Sequence, residues 1–185
     1  MASVAAFLLL VFRGPDWTPR LASHSDVELL EEEVFWTLTG LVDTRLAGFF
    51  EPGSAVLLSD TVAAEQVIDE VLPGTTRSLQ TLGFDWTRAI ASWFPQLYFD
   101  ALPSHIVAQL WDLVFWFSAE QTLGLSVWTL LSVVCSCKRE LSKASSPANA
   151  LVLLRSACNN LSSFSQLHKM NPQPLNEFVQ RVSVR

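Results

Sequence analysis

Three cysteines and three histidines are the residues of this sequence best suited to metal binding or redox chemistry. They are Cys135, Cys137, Cys158, His24, His105 and His168. The cysteines form an odd set, and no two of them have the C-x-x-C spacing of zinc and thiol-redox sites. The histidines are isolated from one another and from the cysteines. We therefore expect reduced thiols, no metal site and no cofactor.

Serine and glycine motifs of known chemistry are also incomplete. The stretch GLSVW, beginning at Gly124, matches a nucleophile elbow only in its first three residues, because Trp128 stands where the second glycine must be. We therefore interpret Ser126 as an ordinary helix residue. The seven glycines form no G-x-G-x-x-G or G-x-x-x-x-G-K phosphate loop. These patterns predict no catalytic apparatus and favour an interaction function.

Composition narrows the class of partner. The 185 residues include 12 Lys and Arg against 18 Asp and Glu, for a formal charge of -6. Because the basic residues are scattered, the sequence lacks the basic footprint of a nucleic-acid-binding protein. Half of the residues are hydrophobic, with 7 Trp and 12 Phe. We expect an aromatic core and an apolar surface available to a partner.

Two apolar stretches raise the question of a membrane segment. MASVAAFLLLVF, at residues 1–12, lacks the positive n-region of a secretory signal and is shorter than the roughly 20 residues of a membrane span. LGLSVWTLLSVVC, at residues 123–135, is closely bracketed by polar residues. We predict a buried helix there and no transmembrane span, while a membrane-associated helical protein stays an alternative.

The elements that position these residues are predicted to be helices, about seven in number, in a single helical domain. One apolar stripe is predicted along Phe35, Leu38, Val42, Leu46 and Phe49. Helix starts are predicted by capping boxes at Ser25 and Ser118 and by caps or openers at Asp85, Pro103 and Ser146. Pro73-Gly74 is predicted to end a helix. The fold class is therefore all-α.

The segment from Ala91 to Val134 carries a recognisable order of motifs. A Trp-Phe pair is followed by an aromatic residue, a Leu-Pro pair, a Leu-Trp-Asp triplet and an apolar helix. The residues are Trp93, Phe94, Phe99, Leu102, Pro103, Leu110, Trp111 and Asp112. This order resembles the C-terminal half of a TBC domain, the helical module of Rab GTPase-activating proteins. Gln109 stands near the place where that family usually has an arginine.

Two further stretches extend the resemblance upstream. An acidic run at Glu31–Glu33 precedes Phe35-Trp36 and a helix ending in the aromatic pair Phe49-Phe50. Residues 67–85 are similar to the family's linking region, which closes on Leu-Gly. The resemblance covers roughly residues 35–134. It implies that the following are motif and core residues: Phe35, Trp36, Trp93, Phe94, Leu102, Pro103, Trp111 and Asp112. Because Leu110, Leu113 and Val114 are predicted to face inward, we expect Trp111 at the edge of the core.

The resemblance also implies a domain arrangement. Residues 1–166 would form a partial TBC domain, its C-terminal lobe, and residues 167–185 a tail with a short helix. The family's Tyr-x-Gln-Gly-Met motif is followed by a small-residue apolar helix, which MASVAAFLLLVF resembles, with Met1 as the methionine. Both the glutamine finger and the arginine finger would then precede Met1, so the chain would hold no catalytic residue. Otherwise Arg13, Arg20 and Arg45 are the nearest candidates for a finger.

The function implied by the resemblance is regulation of another enzyme. The chain would bind a GTP-bound Rab-type small GTPase and belong to an activator of that GTPase in vesicle traffic, while lacking activity of its own. We expect a cytoplasmic location at endomembranes, with peripheral membrane association through partners. A non-catalytic α-helical interaction scaffold is the alternative.

Overall fold

The computed structural model describes residues 2–13, 24–51 and 53–183. The described residues contain eleven α-helices, a short π-helix and no strand, so the all-α fold class is confirmed. The chain divides into two compact units, residues 1–47 and 48–185, a division that the sequence does not predict. The domain boundary at residue 166 stays a prediction.

The first unit consists of α1 (Ala2–Arg13), α2 (His24–Gly40) and a π-helix (Leu41–Arg45), with α1 packed against α2. The predicted capping box at Ser25 is wrong. Helix α2 already includes His24, so Ser25 lies inside its first turn. The Glu28 Oε1 atom lies 3.1 Å from His24 Nε2. One carboxylate oxygen of Glu28 therefore lies against a side chain one turn earlier.

The predicted apolar stripe is wrong at Phe35, which precedes the π-helix, whereas the π-helix accounts for the burial of Leu46 on the same face as Leu41. The Leu46 N–H donates to the Leu41 carbonyl at 3.0 Å, an i to i+5 bond that inserts an extra residue into the turn. The inserted residue shifts every later side chain around the axis. The buried face is formed by Val34, Leu41 and Leu46, whereas Phe35 is exposed.

The second unit contains the other nine helices. They are α3 (Ala55–Val71), α4 (Pro73–Thr81), α5 (Trp86–Trp93), α6 (Ser104–Trp116), α7 (Ala119–Ser136), α8 (Lys138–Leu141), α9 (Pro147–Asn159), α10 (Phe164–Met170) and α11 (Leu175–Ser183). Three predicted caps are confirmed. Asp85 Oδ1 accepts from the Thr87 N–H at 2.9 Å, Ser146 caps α9, and Ser118 forms a capping box with Gln121.

Helix α4 is an element that the sequence reading missed. The Pro73-Gly74 pair follows the end of α3, as predicted, but Pro73 is also the first residue of a new helix. Proline suits that position because its missing N–H would have no intrahelical partner there. The Pro73-Gly74 pair therefore follows the end of one helix and begins the next.

Helix α7 is the centre of the second unit. Residues 124–134 are all buried, and α3, α6, α8, α9, α10 and α11 pack around the helix. A Cβ atom on Gly124 would lie 3.1 Å from the Val179 Cα atom, so this glycine allows α11 to approach closely. None of the described helices combines the length and hydropathy that crossing a bilayer requires.

Candidate functional site

The motif residues of the second unit surround a tight turn between α5 and α6. Trp93 ends α5 and Phe94 begins the turn, and both are buried. Within the turn Leu97 and Tyr98 have φ values of 48° and 63°. Bulky residues rarely adopt this left-handed conformation, which costs roughly 1–3 kcal/mol per residue and persists only where surrounding contacts enforce it.

Two buried hydrogen bonds hold this strained turn in place. The Tyr98 hydroxyl donates to the Ser126 carbonyl of α7 at 2.6 Å, and the Trp111 Nε1–H donates to the Leu97 carbonyl at 3.0 Å. Burial raises the pKa of Tyr98 well above its ordinary value, so its hydroxyl stays a donor. Trp111 is only 3% exposed, so the prediction that it lies at the edge of the core is wrong. Its indole reaches inward to the turn.

Aromatic rings complete the cluster around Tyr98. The ring centroids of Trp93 and Phe94 each lie 6.0 Å from that of Tyr98. Leu102 is also buried, Pro103 directly precedes α6 and is half-buried, and Asp112 is exposed on α6. Sequence reasoning did not single out Tyr98, although it is the only tyrosine of the chain. Apart from Asp112, this set serves packing and carries no reactive group.

The motif residues of the first unit are placed differently. Phe35 is 57% exposed and Trp36 is 62% exposed, so their predicted place in the core is wrong. Helix geometry gives the reason, because Val34 faces inward and each later residue turns by about 100°. The two rings meet edge to face at 5.2 Å, and the Trp36 Nε1–H donates to Glu32 Oε1 at 3.3 Å. An aromatic pair beside an acidic run therefore lies on the surface of α2.

The cysteines are poorly suited to redox or metal chemistry. Cys137 and Cys158 are buried free thiols, and burial raises the pKa of each to about 12. Such thiols stay protonated at neutral pH and are weak nucleophiles. Within the described residues, no group of three His, Cys, Asp or Glu side chains could hold a metal ion.

The remaining residues that the sequence analysis singled out are the three candidate finger arginines and the motif methionine, Met1. Arg45 is the last residue of the π-helix. Met1, Arg20 and the side chain of Arg13 lie outside the described residues. Ser126 is part of α7, as predicted.

One further feature was not predicted, a cavity of about 510 Å³ beside α3. Its lining includes Asp60, which is 8% exposed, and the other described residues that line it are uncharged. Burial raises the pKa of Asp60 from 3.8 to about 6. The sequence does not single out Asp60, because it is one of four acidic residues in the stretch 55–71.

Comparison with known proteins identifies relatives of this chain. The family described as Rab-GTPase-TBC domain matches residues 1–140. The chain is 33% identical over 85 residues to growth hormone-regulated TBC protein 1 of Homo sapiens, across 46% of this chain and 25% of that protein. It is 26% identical over 116 residues to TBC domain-containing protein C4G8.04 of Schizosaccharomyces pombe, across 62% of this chain and 13% of that protein.

The two alignments therefore cover a quarter or less of each relative's own length. The family match, in contrast, extends over most of this chain and includes all of α1 to α7. The chain belongs to the Rab-GTPase-TBC domain family.

Proposed function

We propose that this chain binds a GTP-loaded Rab-type small GTPase and acts in a GTPase-activating protein that regulates vesicle traffic. The observation that carries the proposal is the family match over residues 1–140. The order of motifs from Phe35 to Asp112 supports the same assignment. The place of action would be the cytoplasmic side of endomembranes, reached through the partner.

The chemistry of GTP hydrolysis defines what such a chain must contribute. Negative charge develops on the transferring phosphoryl group, and an arginine supplied in trans stabilises it by roughly 10³ to 10⁵ in rate, while a glutamine orients the attacking water. The sequence contains neither the Ile-x-x-Asp-x-x-Arg nor the Tyr-x-Gln-Gly motif of the family. We therefore propose that these residues contribute binding without acceleration.

The surface of α2 is our candidate for the GTPase contact. Phe35 and Trp36 are exposed beside Glu31, Glu32 and Glu33, which are exposed as well. Exposed aromatic side chains give large contact areas at low conformational cost, and they are enriched at protein interfaces. The buried motif residues Trp93 and Trp111 would support the fold without touching the partner.

The alternative is a non-catalytic helical scaffold for some other protein. The same exposed pair on α2 favours it, because an aromatic surface by itself does not specify a GTPase. The two functions differ in nucleotide dependence. A Rab-binding chain distinguishes the GTP-loaded from the GDP-loaded GTPase, whereas a scaffold is indifferent to nucleotide.

Single-turnover phosphate release tests the proposal. The chain alone should leave the release rate of GTP-loaded Rab proteins at its intrinsic value. Added in excess to a Rab protein and an active TBC-type activator of that protein, it should lower the stimulated rate by occupying the same surface. Stimulation by the chain alone would contradict the proposal, and Arg13, Arg20 and Arg45 would then be replaced in turn to find the finger.

A further inference from the structure

A groove runs along one side of α3 in the second unit. The cavity is lined by Leu58, Ser59, Asp60, Val62, Ala63, Gln66 and Val67 of α3 and by Leu123 of α7. These α3 residues extend over about 14 Å of helix axis at 1.5 Å per residue. The volume of about 510 Å³ lies within the range of roughly 300–1,000 Å³ typical of ligand sites. We call this feature the α3 groove.

The walls of the α3 groove are apolar and accessible. Leu58 and Val62 are each 55% exposed, and they occupy successive turns of the same helix face. Val67 is buried, and Leu123 is half-buried on the α7 side. Large apolar side chains in this arrangement give a partner a surface against which it can exclude water.

Asp60 gives the groove a specific electrostatic character. It is more than nine-tenths buried, and among the described residues none forms a hydrogen bond or an ion pair with its carboxylate. The other lining residues are uncharged. With its pKa raised to about 6 by burial, the carboxyl is still largely ionised above pH 7. No described side chain supplies a counterion, and the carboxylate oxygens keep some contact with solvent, because they are not among the fully buried polar atoms without a partner.

We propose that the α3 groove binds an apolar segment of a partner protein through one arginine that pairs with Asp60. The apolar neighbours of that arginine would pack on Ala63 and Val67, which lie on the same side of α3 as Asp60, and on Leu123 of α7. A guanidinium group suits the site because it can donate two parallel hydrogen bonds to one carboxylate. The length of the groove accommodates about nine residues of a helix lying in it, a recurring mode of peptide recognition.

A metal ion is a poorer occupant on the same observations. Among the described residues, Asp60 is the only carboxylate that lines the groove, and calcium binds through six to eight oxygen ligands. The α3 groove is on the second unit, whereas the proposed GTPase contact is on α2. The two proposals therefore do not depend on each other and can fail separately.

Peptide binding to the full chain tests the inference. The probes are blocked, fluorescent, alanine-based helical peptides in which two leucines flank one central residue. That residue is arginine, its neutral isostere citrulline, or glutamate. The arginine peptide should bind at least about tenfold more tightly than the citrulline peptide, a factor that corresponds to 1.4 kcal/mol. The glutamate peptide should bind most weakly.

Two matched variants localise the effect. Asp60→Asn should remove the preference for arginine over citrulline, whereas Asp69→Asn, which removes an exposed carboxylate from the same helix, should keep it. Circular dichroism should show equal helix content in both variants. Equal affinity of the arginine and citrulline peptides for the unmodified chain, or no measurable binding of the arginine peptide, would overturn the inference. Loss of the preference in Asp69→Asn would do so as well.

Discussion

Replacing Asp60 with asparagine should stabilise the protein at neutral pH. The carboxylate is 8% exposed, and no described residue pairs with it. Its pKa is raised from 3.8 to about 6 because burial disfavours the charged form. Asparagine has nearly the same shape and cannot ionise, so the substitution removes the cost of a buried charge and little else.

The sign of the effect follows from proton linkage. Because the pKa of the folded state is the higher one, the folded protein binds the Asp60 proton more tightly than the unfolded chain does. The contribution of this group to the free energy of unfolding is therefore most favourable below pH 3.8, declines up to about pH 6 and is constant above it. A pKa shift of this size corresponds to a loss of about 3 kcal/mol in the free energy of unfolding. Water around the side chain reduces this loss. After this reduction by solvent, we expect Asp60→Asn to gain about 1–2 kcal/mol at pH 7.5.

Urea unfolding at two pH values measures this gain. At about pH 3 the carboxyl is largely protonated in both states, so the variant and the unmodified protein should unfold with nearly the same free energy. Asp69→Asn serves as the control, because Asp69 is exposed on the same helix and its loss should change stability little. No gain at pH 7.5, or the same gain at both pH values, would refute the reasoning.

Three further substitutions test the packing of the second unit by urea unfolding. Trp111→Phe keeps the aromatic ring but leaves the Leu97 carbonyl without its donor, so it should cost about 1–3 kcal/mol; an unchanged midpoint would show that this bond contributes nothing. Gly124→Ala places a methyl group against the α11 backbone and should cost about 1–3 kcal/mol, and a stabilised variant would argue against the close approach of α11 to α7. Ser146→Ala removes the cap of α9 and should cost about 1 kcal/mol, in contrast with Ser145→Ala, which leaves that cap in place.

Local signals predicted helix starts well where each signal involves only neighbouring residues. Asp85, Ser118 and Ser146 cap their helices as predicted, because a side chain and an N–H two or three residues away decide the geometry. Ser25 shows the limit of this reasoning. Its motif is intact, but the helix already includes His24, and the Glu28 side chain pairs with that histidine.

Features that depend on distant contacts could not be predicted in this way. The exposure of Trp36 depends on which face of α2 is buried, and this does not follow from the spacing of apolar residues alone. The left-handed turn at Leu97 and Tyr98 exists because α6 and α7 supply its hydrogen-bond partners. The solitary charge of Asp60 is likewise a property of the folded surroundings.

The proposed function is tested most directly by binding of the chain to a panel of immobilised Rab proteins, each loaded with a non-hydrolysable GTP analogue or with GDP. We predict that at least one member binds in the GTP-analogue state and at least about tenfold more weakly in the GDP state. Trp36→Ala should weaken that binding, whereas Trp116→Ala, which removes another exposed tryptophan from the second unit, should not. Failure of every member to bind, or binding that is the same in both nucleotide states, would contradict the assignment of a Rab-type GTPase as the partner.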